Sequence, residues 1–202
     1  MIGILDYGAG NLKSVQKAFE YLKIDSKICE HPKEALIADK ILIPGVGAFG
    51  KAIEALRKSS FEDTIFHAIQ LQKPVLGICL GMQLLLSRSE ELGNWNGLNI
   101  VEGNVVKFDR ALGKVPLIGW NSLEEVASNS QLFKNIDPGT FFYFVHSYYC
   151  LPLEEKVVTA KSSFGNFFYA AALEKNGIFA VQFHPEKSGL GGLQVLKNFA
   201  SL

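Results

Sequence analysis

Pro74-Val75-Leu76-Gly77-Ile78-Cys79-Leu80-Gly81-Met82-Gln83 runs from an apolar strand straight into a helical stretch, with a cysteine flanked by glycines at the junction. A strand, a sharp turn and a helix in that order make the cysteine version of a nucleophile elbow, in which the glycines let the chain turn and hold the side chain up and exposed. The helix that starts there points its positive end at the sulfur and favours thiolate over thiol. The amide of Leu80 is aimed where an oxyanion would form. Taken alone, the stretch also fits a small buried residue at a strand end, the usual fate of a cysteine. Cys29 and Cys150 lack the elbow setting and read as core residues.

Upstream of the elbow, strand and helix signals alternate. Ile2–Asp6, Ser26–Cys29, Lys40–Ile43 and Pro74–Ile78 read as strands. Asn11 stands as an N-cap before the apolar stripe Leu12, Val15, Ala18, Phe19 and Leu22. Further helices are expected over Gly50–Lys58, Phe61–Gln72 and Leu80–Ser89. Continuous apolar strands between helices indicate a parallel sheet covered on both faces. From Leu98 onward the signals are strands, near Gly103–Phe108, Val115–Trp120, Phe141–Cys150, Lys156–Lys161, Phe167–Leu173 and Ile178–Phe183. Turns at Asp137-Pro138-Gly139 and Lys175-Asn176-Gly177 separate some of them, and Gly191–Leu202 closes the chain as a helix. The expectation is an α/β fold: an open, mostly parallel sheet with helices on both faces and added antiparallel strands. With no linker, repeat or low-complexity tract, residues 1–202 read as one domain.

The composition excludes several classes. The 202 residues are 48% hydrophobic and 20% charged, a globular profile. Lys+Arg 20 against Asp+Glu 20 leaves no net charge, so the electrostatic footprint of a nucleic-acid binder is missing. Apolar runs such as Phe141–Val145 are too short to span a bilayer. Asp6 interrupts the apolar start and no basic region precedes it, so no signal peptide is expected and the default is a cytoplasmic protein with reduced thiols. Three widely spaced cysteines form neither a disulfide framework nor a metal site, and no metal or cofactor is expected. Gly8-Ala9-Gly10 resembles the start of a dinucleotide fingerprint, but Lys13 occupies the third glycine position, which rejects NAD.

A thiolate nucleophile needs a base, which sorts the four histidines. His67 lies mid-helix, as a surface or packed residue. His31 sits in a polar turn without an orienting element. His146, in an aromatic strand, could line a pocket. His184 ends the buried strand Ala180-Val181-Gln182-Phe183, where open α/β sheets place their sites. Pro185 holds the chain extended, so Glu186 points to the same side and can fix the imidazole tautomer. An exposed Glu after a strand-ending turn is the other reading of that segment alone. Paired with the elbow, Cys79, His184 and Glu186 form a plausible triad. The loop Pro44-Gly45-Val46-Gly47-Ala48 follows its strand in the same way and could supply a second oxyanion amide; an ordinary turn is its alternative.

These residues resemble the class I glutamine amidotransferases, through Gly77-Ile78-Cys79-Leu80-Gly81-Met82-Gln83 followed by Phe183-His184-Pro185-Glu186. Asp6-Tyr7-Gly8-Ala9-Gly10-Asn11, Pro44-Gly45-Val46-Gly47, Gly119-Trp120-Asn121, His146-Ser147-Tyr148-Tyr149 and Lys187-Ser188 narrow the resemblance to the glutaminase subunits of imidazole glycerol phosphate synthases, over essentially the whole chain. The resemblance implies that Cys79 attacks the side-chain amide of glutamine to form a thioester and release ammonia. His184 would move the proton and Glu186 would orient His184. It implies an oxyanion hole at Val46, Gly47 and Leu80, and glutamine contacts from Gln83, Glu91, Ser147 and Tyr148. Glu91 lies in the acidic pair Glu90-Glu91, which allows a one-residue shift and also fits a solvated helix end. The implied partner is a (β/α)₈-barrel cyclase bound as a heterodimer through Asn11, Trp120, Tyr143 and Lys187. Each of these has another account: a helix cap, two core aromatics and a solvated charge. The resemblance also implies an allosteric pair, for which the Pro44–Gly47 loop is the candidate two-state element. Paralogues that supply ammonia for amidine formation in surface-sugar synthesis resemble the chain equally.

One inference does not depend on the resemblance. A hydrolase-like scaffold that fills the chain leaves no room for a site accepting nitrogen, and ammonia released to water is mostly protonated and no longer nucleophilic. The acceptor therefore belongs on a partner sealed against this chain.

Overall fold

The computed structural model describes residues 1–137 and 139–202. Pro138, in the expected Asp137-Pro138-Gly139 turn, lies outside them. The first part of the chain is β1 (Ile2–Leu5), α1 (Leu12–Tyr21), β2 (Ser26–Cys29), α2 (Pro32–Leu36), β3 (Lys40–Ile43), α3 (Phe49–Lys58), α4 (Phe61–Gln70), β4 (Val75–Ile78) and α5 (Leu80–Leu84). The remainder is β5 (Leu86–Ser89), β6 (Trp95–Asn96), β7 (Val101–Lys107), β8 (Leu117–Ser122), β9 (Glu125–Val126), β10 (Phe141–His146), β11 (Tyr148–Pro152), β12 (Val158–Phe164), β13 (Phe167–Lys175), β14 (Ile178–Val181) and α6 (Gly189–Ala200).

An 8-stranded sheet runs in the order β2-β1-β3-β4-β14-β13-β12-β9. Its β2-β1-β3-β4-β14 part is parallel, and β13, β12 and β9 extend it antiparallel. This is the expected α/β architecture. Alternation along β3 explains why both faces are covered. Ile41 and Ile43 join the core formed with α2, α3, α4 and α5, whereas Leu42 joins the core formed with α1, α6 and the phenylalanines of β10. A 4-stranded sheet, β11-β7-β5-β6, and the β10-β8 pair complete the fold.

Four local expectations are corrected. The expected Leu80–Ser89 helix stops at Leu84, and Leu86–Ser89 becomes β5, paired with β7 and β6. The run Leu84-Leu85-Leu86 satisfies either period, and tertiary pairing decides: the amides of Leu98 and Asn99 reach the carbonyls of Leu84 and Leu86. The expected Phe141–Cys150 strand breaks at Ser147, because β10 pairs with β8 while β11 pairs with β7. His31 is not in an unorganised turn. It caps α2 in a capping box with Glu34, and Pro32 occupies the first turn. Asn11 sits at the N-cap position of α1 but makes no capping hydrogen bond with its side chain; its carbonyl accepts from Ser14 and Val15 instead.

The topology gathers the site. β3, β4 and β14 are parallel neighbours, so the segments that follow them leave the same edge of the sheet. Those segments are the Pro44–Gly47 loop, Cys79 and Gln182–Glu186, which places them at the carboxyl ends of the strands.

Candidate active site

Cys79 carries the strain of the elbow itself. Its φ of 55° and ψ of −108° lie outside the ordinary regions for a residue with a β-carbon, a conformation that persists only where the surroundings enforce it. The enforcement is visible: the Cys79 amide donates to Val181 O at 2.8 Å, and its carbonyl accepts from Met82 and Gln83. The flanking glycines serve close packing rather than the turn. A Cβ on Gly77 would lie 2.7 Å from the carbonyl oxygen of Gly81, and one on Gly81 would lie 2.0 Å from that of Ile43. α5 is only Leu80–Leu84, too short to set a long helix dipole behind Cys79.

The sulfur borders a cavity of about 360 Å³ lined by Val46, Gly47, Cys79, Leu80, Gln83, Glu91, Ser147, Tyr148 and His184, with Pro116, Val145 and His146 completing its wall. The structure thus brings together the expected nucleophile, base, oxyanion backbone and glutamine contacts. Glu186 stands behind His184, with its Oε1 2.9 Å from His184 Nδ1, and both side chains are buried. A tight helical turn over Pro185–Lys187, not the expected extended backbone, carries Glu186 back to the ring. Burial pushes the His184 pKa down, but the Cys79 sulfur and the Glu186 carboxylate outweigh it and raise it to about 10. Nε2, the other ring nitrogen, is buried and makes no aligned hydrogen bond.

Glu91 is not a solvated helix end. Its Oε2 accepts from the Phe49 amide at 2.7 Å, just after the Pro44–Gly47 loop, while Glu90 turns away to accept from the Lys107 amide at 2.7 Å. Of the two, Glu91 is the one that lines the cavity. Gln83 donates Nε2 to Tyr148 O and to Gln182 Oε1, both at 3.1 Å, which leaves its own oxygen for the cavity. Gln182 is a site residue that the sequence reading passed over as strand filler. A polar side chain in the otherwise apolar run Ala180–Phe183 was the available signal. Trp120, Tyr143 and Lys187 cluster on the outer face of the β8–β10 pair. Trp120 is 53% exposed and meets Tyr143 edge to face, and the Lys187 ammonium sits 5.9 Å from the Tyr143 ring centre. The core-aromatic account of Trp120 is therefore set aside. Asn11 opens α1, which packs against the Pro185–Lys187 turn. Among the described residues, no group of three or more His, Cys, Asp or Glu is placed to hold a metal, and no helix is long and apolar enough to cross a membrane.

His146 is a second buried histidine with the opposite tendency. Burial holds its pKa down at about 4; the Tyr148 carbonyl, accepting from Nδ1 at 2.8 Å, opposes this, and nearby His184 adds to it. The unfolded chain takes a proton on this residue below its ordinary value of 6.5, while the folded chain refuses it down to about 4. Stability from His146 is therefore lost as pH falls through that window. In His146→Asn, which keeps a donor near the Nδ1 position, the drop in unfolding free energy between pH 7 and pH 4.5 should shrink by ~2 kcal/mol. Urea unfolding at the two pH values measures it, and an unchanged drop would contradict the neutral, buried assignment.

The class I glutamine amidotransferase family model matches residues 3–201. The imidazole glycerol phosphate synthase subunit HisH of Chlorobaculum tepidum is 54% identical over 200 residues, 99% of each chain. The subunit of the same name from Chlorobium chlorochromatii is 50% identical over 202 residues, 100% of each chain. Among solved structures, PurLQS from Thermotoga maritima superposes with a TM-score of 0.78 at 15% identity, covering 99% of this chain and 97% of that one, a likeness of fold. With its elbow cysteine, buried His–Glu pair and parallel-sheet edge all falling inside the matched segment, the chain belongs to the class I glutamine amidotransferase family.

Proposed function

We propose that this chain, a single glutaminase domain over residues 1–202, is the subunit of imidazole glycerol phosphate synthase that hydrolyses glutamine in the cytoplasm and passes ammonia to a cyclase in histidine biosynthesis. The observation that carries the chemistry is the buried His184–Glu186 pair at 2.9 Å beside Cys79, at the edge of a cavity lined by backbone and polar groups. The 50–54% identity to HisH subunits supports the pathway.

The thiolate of Cys79 attacks the carboxamide carbon of glutamine. The oxyanion that forms is held by amides of Leu80 and of the Val46-Gly47 loop. His184, oriented by Glu186, donates its proton to the leaving nitrogen; the C–N bond breaks and ammonia departs, leaving a γ-glutamyl thioester. Water, deprotonated by His184, then attacks the acyl carbon and releases glutamate and the thiolate. The free oxygen of Gln83, the carboxylate of Glu91 and the Ser147-Tyr148 segment hold the α-ammonium and α-carboxylate of the substrate. The face bearing Trp120, Tyr143 and Lys187, with Asn11 beside it, receives the (β/α)₈-barrel cyclase subunit, so that ammonia travels between sites without meeting bulk water.

The test is ammonia release from glutamine by the chain alone, with the barrel subunit, and with that subunit plus its phosphoribulosyl-formimino substrate. Turnover is expected to rise steeply only in the third mixture. Activation by a surface-sugar cyclase instead would reassign the pathway, and peptide hydrolysis by the chain alone would replace the reading with another elbow-type cysteine hydrolase.

A further inference from the structure

Gln182 is fully buried, yet its side chain ends at the nucleophile: Nε2 lies 3.6 Å from Cys79 Sγ, and Oε1 accepts from Gln83 Nε2 at 3.1 Å. Which end of each amide faces which neighbour follows from one group that can only accept. The Tyr148 carbonyl receives Gln83 at 3.1 Å, so the Gln83 atom there is the nitrogen. The same nitrogen meets Gln182, which must answer with its oxygen, and the Gln182 nitrogen is thereby turned to the sulfur. The direction of the chain is set at a backbone atom and ends on the reacting atom.

We propose that Gln182 is a positioning residue for the nucleophile, donating one amide N–H to Sγ and held in that orientation by Gln83 and the Tyr148 carbonyl. A hydrogen bond to an anionic acceptor is stronger than one to a neutral acceptor, so the contact favours the thiolate over the thiol. It also restricts the sulfur to one rotamer, facing the cavity and His184. The same Tyr148 carbonyl accepts from His146 Nδ1 at 2.8 Å, so the segment expected to touch glutamine anchors the polarity of the whole chain. The inference rests on Cys79 being the nucleophile, but its test needs no turnover.

Cys79 alkylation by iodoacetamide is followed from pH 5 to 10 in the full-length chain, read on the Cys79 peptide by mass spectrometry so that Cys29 and Cys150 do not contribute. Gln182→Met keeps the length and removes the donor. The rate at neutral pH should fall about tenfold and the profile of the coupled Cys79–His184 pair should move to higher pH, since a tenfold change corresponds to about one pH unit. Gln83→Met, which releases Gln182 from its orientation, should move the profile the same way by less, and the double variant should be no worse than Gln182→Met alone. A native-like rate and profile in Gln182→Met overturns the proposal, as does a slower rate with an unmoved profile, which marks a packing role. If Gln182→Met fails to fold, Gln83→Met decides: an unmoved profile overturns the proposal.

Discussion

Cys79→Ala is expected to lower glutamine hydrolysis, assayed with the proposed cyclase subunit, ~10⁴-fold or more, and to lose some stability because the buried Gln182 amide loses its acceptor. The large loss follows from removing the atom proposed to form the thioester. His184→Ala should cost a comparable factor, and Cys79→Ala/His184→Ala should be scarcely worse than either alone, because the two groups act in one proton-coupled step. The backbone adds nothing to that stability change. Alanine keeps the β-carbon, so the strain at φ 55° is neither relieved nor increased. Cys79→Gly separates the two roles. It should be equally inactive, yet more stable than Cys79→Ala by ~1 kcal/mol, since both lose the sulfur and only glycine occupies this region without steric penalty. In a chain of 202 residues that is a rise in Tm of roughly 2–4 °C. A melting curve and an ammonia assay on the same samples give both quantities. A glycine variant no more stable than the alanine variant would mean that the elbow is not strained, and residual activity within tenfold of the parent would remove Cys79 from the chemistry.

The division between what was legible in the sequence and what was not follows the range of the interactions involved. The juxtaposition of Cys79, His184 and Glu186 was readable because each sits in a local pattern: an elbow, a buried strand end and a carboxylate two residues on. The parallel half of the sheet was readable because β1, β4 and β14 are apolar throughout, as burial on both faces requires. The helix expected over Leu80–Ser89 failed at Leu84, where three successive leucines fit either period and a strand distant in sequence made the choice. Glu91 and Glu90 could not be told apart in sequence, since one faces the cavity and the other β7 only through the amides of Phe49 and Lys107. Gln182 was passed over for the same reason. Its partners are Gln83 and Cys79, about a hundred positions away, and nothing local to Ala180–Phe183 points to them.

Gly81→Ala is expected to be among the most damaging single-methyl changes in the described residues, and the sign of its effect makes it informative. Gly81 lies inside α5, where alanine is ordinarily favoured over glycine by ~1 kcal/mol. Here the added carbon would lie 2.0 Å from the carbonyl oxygen of Ile43 and 2.9 Å from its carbon. Both are backbone atoms of Ile43, at the fully buried end of β3, so no side-chain rotation relieves the clash; β3 and α5 must separate. Separation reaches the chemistry directly. Ile43 leads into Pro44, and Gly45 already packs so closely on Leu80 and Gly81 that a Cβ there would approach to 2.7 Å. The two backbone segments proposed to hold the oxyanion are therefore fixed against each other by this contact and spread together when it is forced apart. The expected loss is ~3 kcal/mol or more of stability, which lowers Tm by roughly 6–12 °C. Glutaminase turnover of the folded fraction should fall ~10²-fold or more, the cost of losing an aligned oxyanion donor. Thermal melts and turnover on the same preparation check both. A variant that melts at or above the parent temperature would restore the ordinary helix preference and show that β3 and the elbow are not in backbone contact at Gly81.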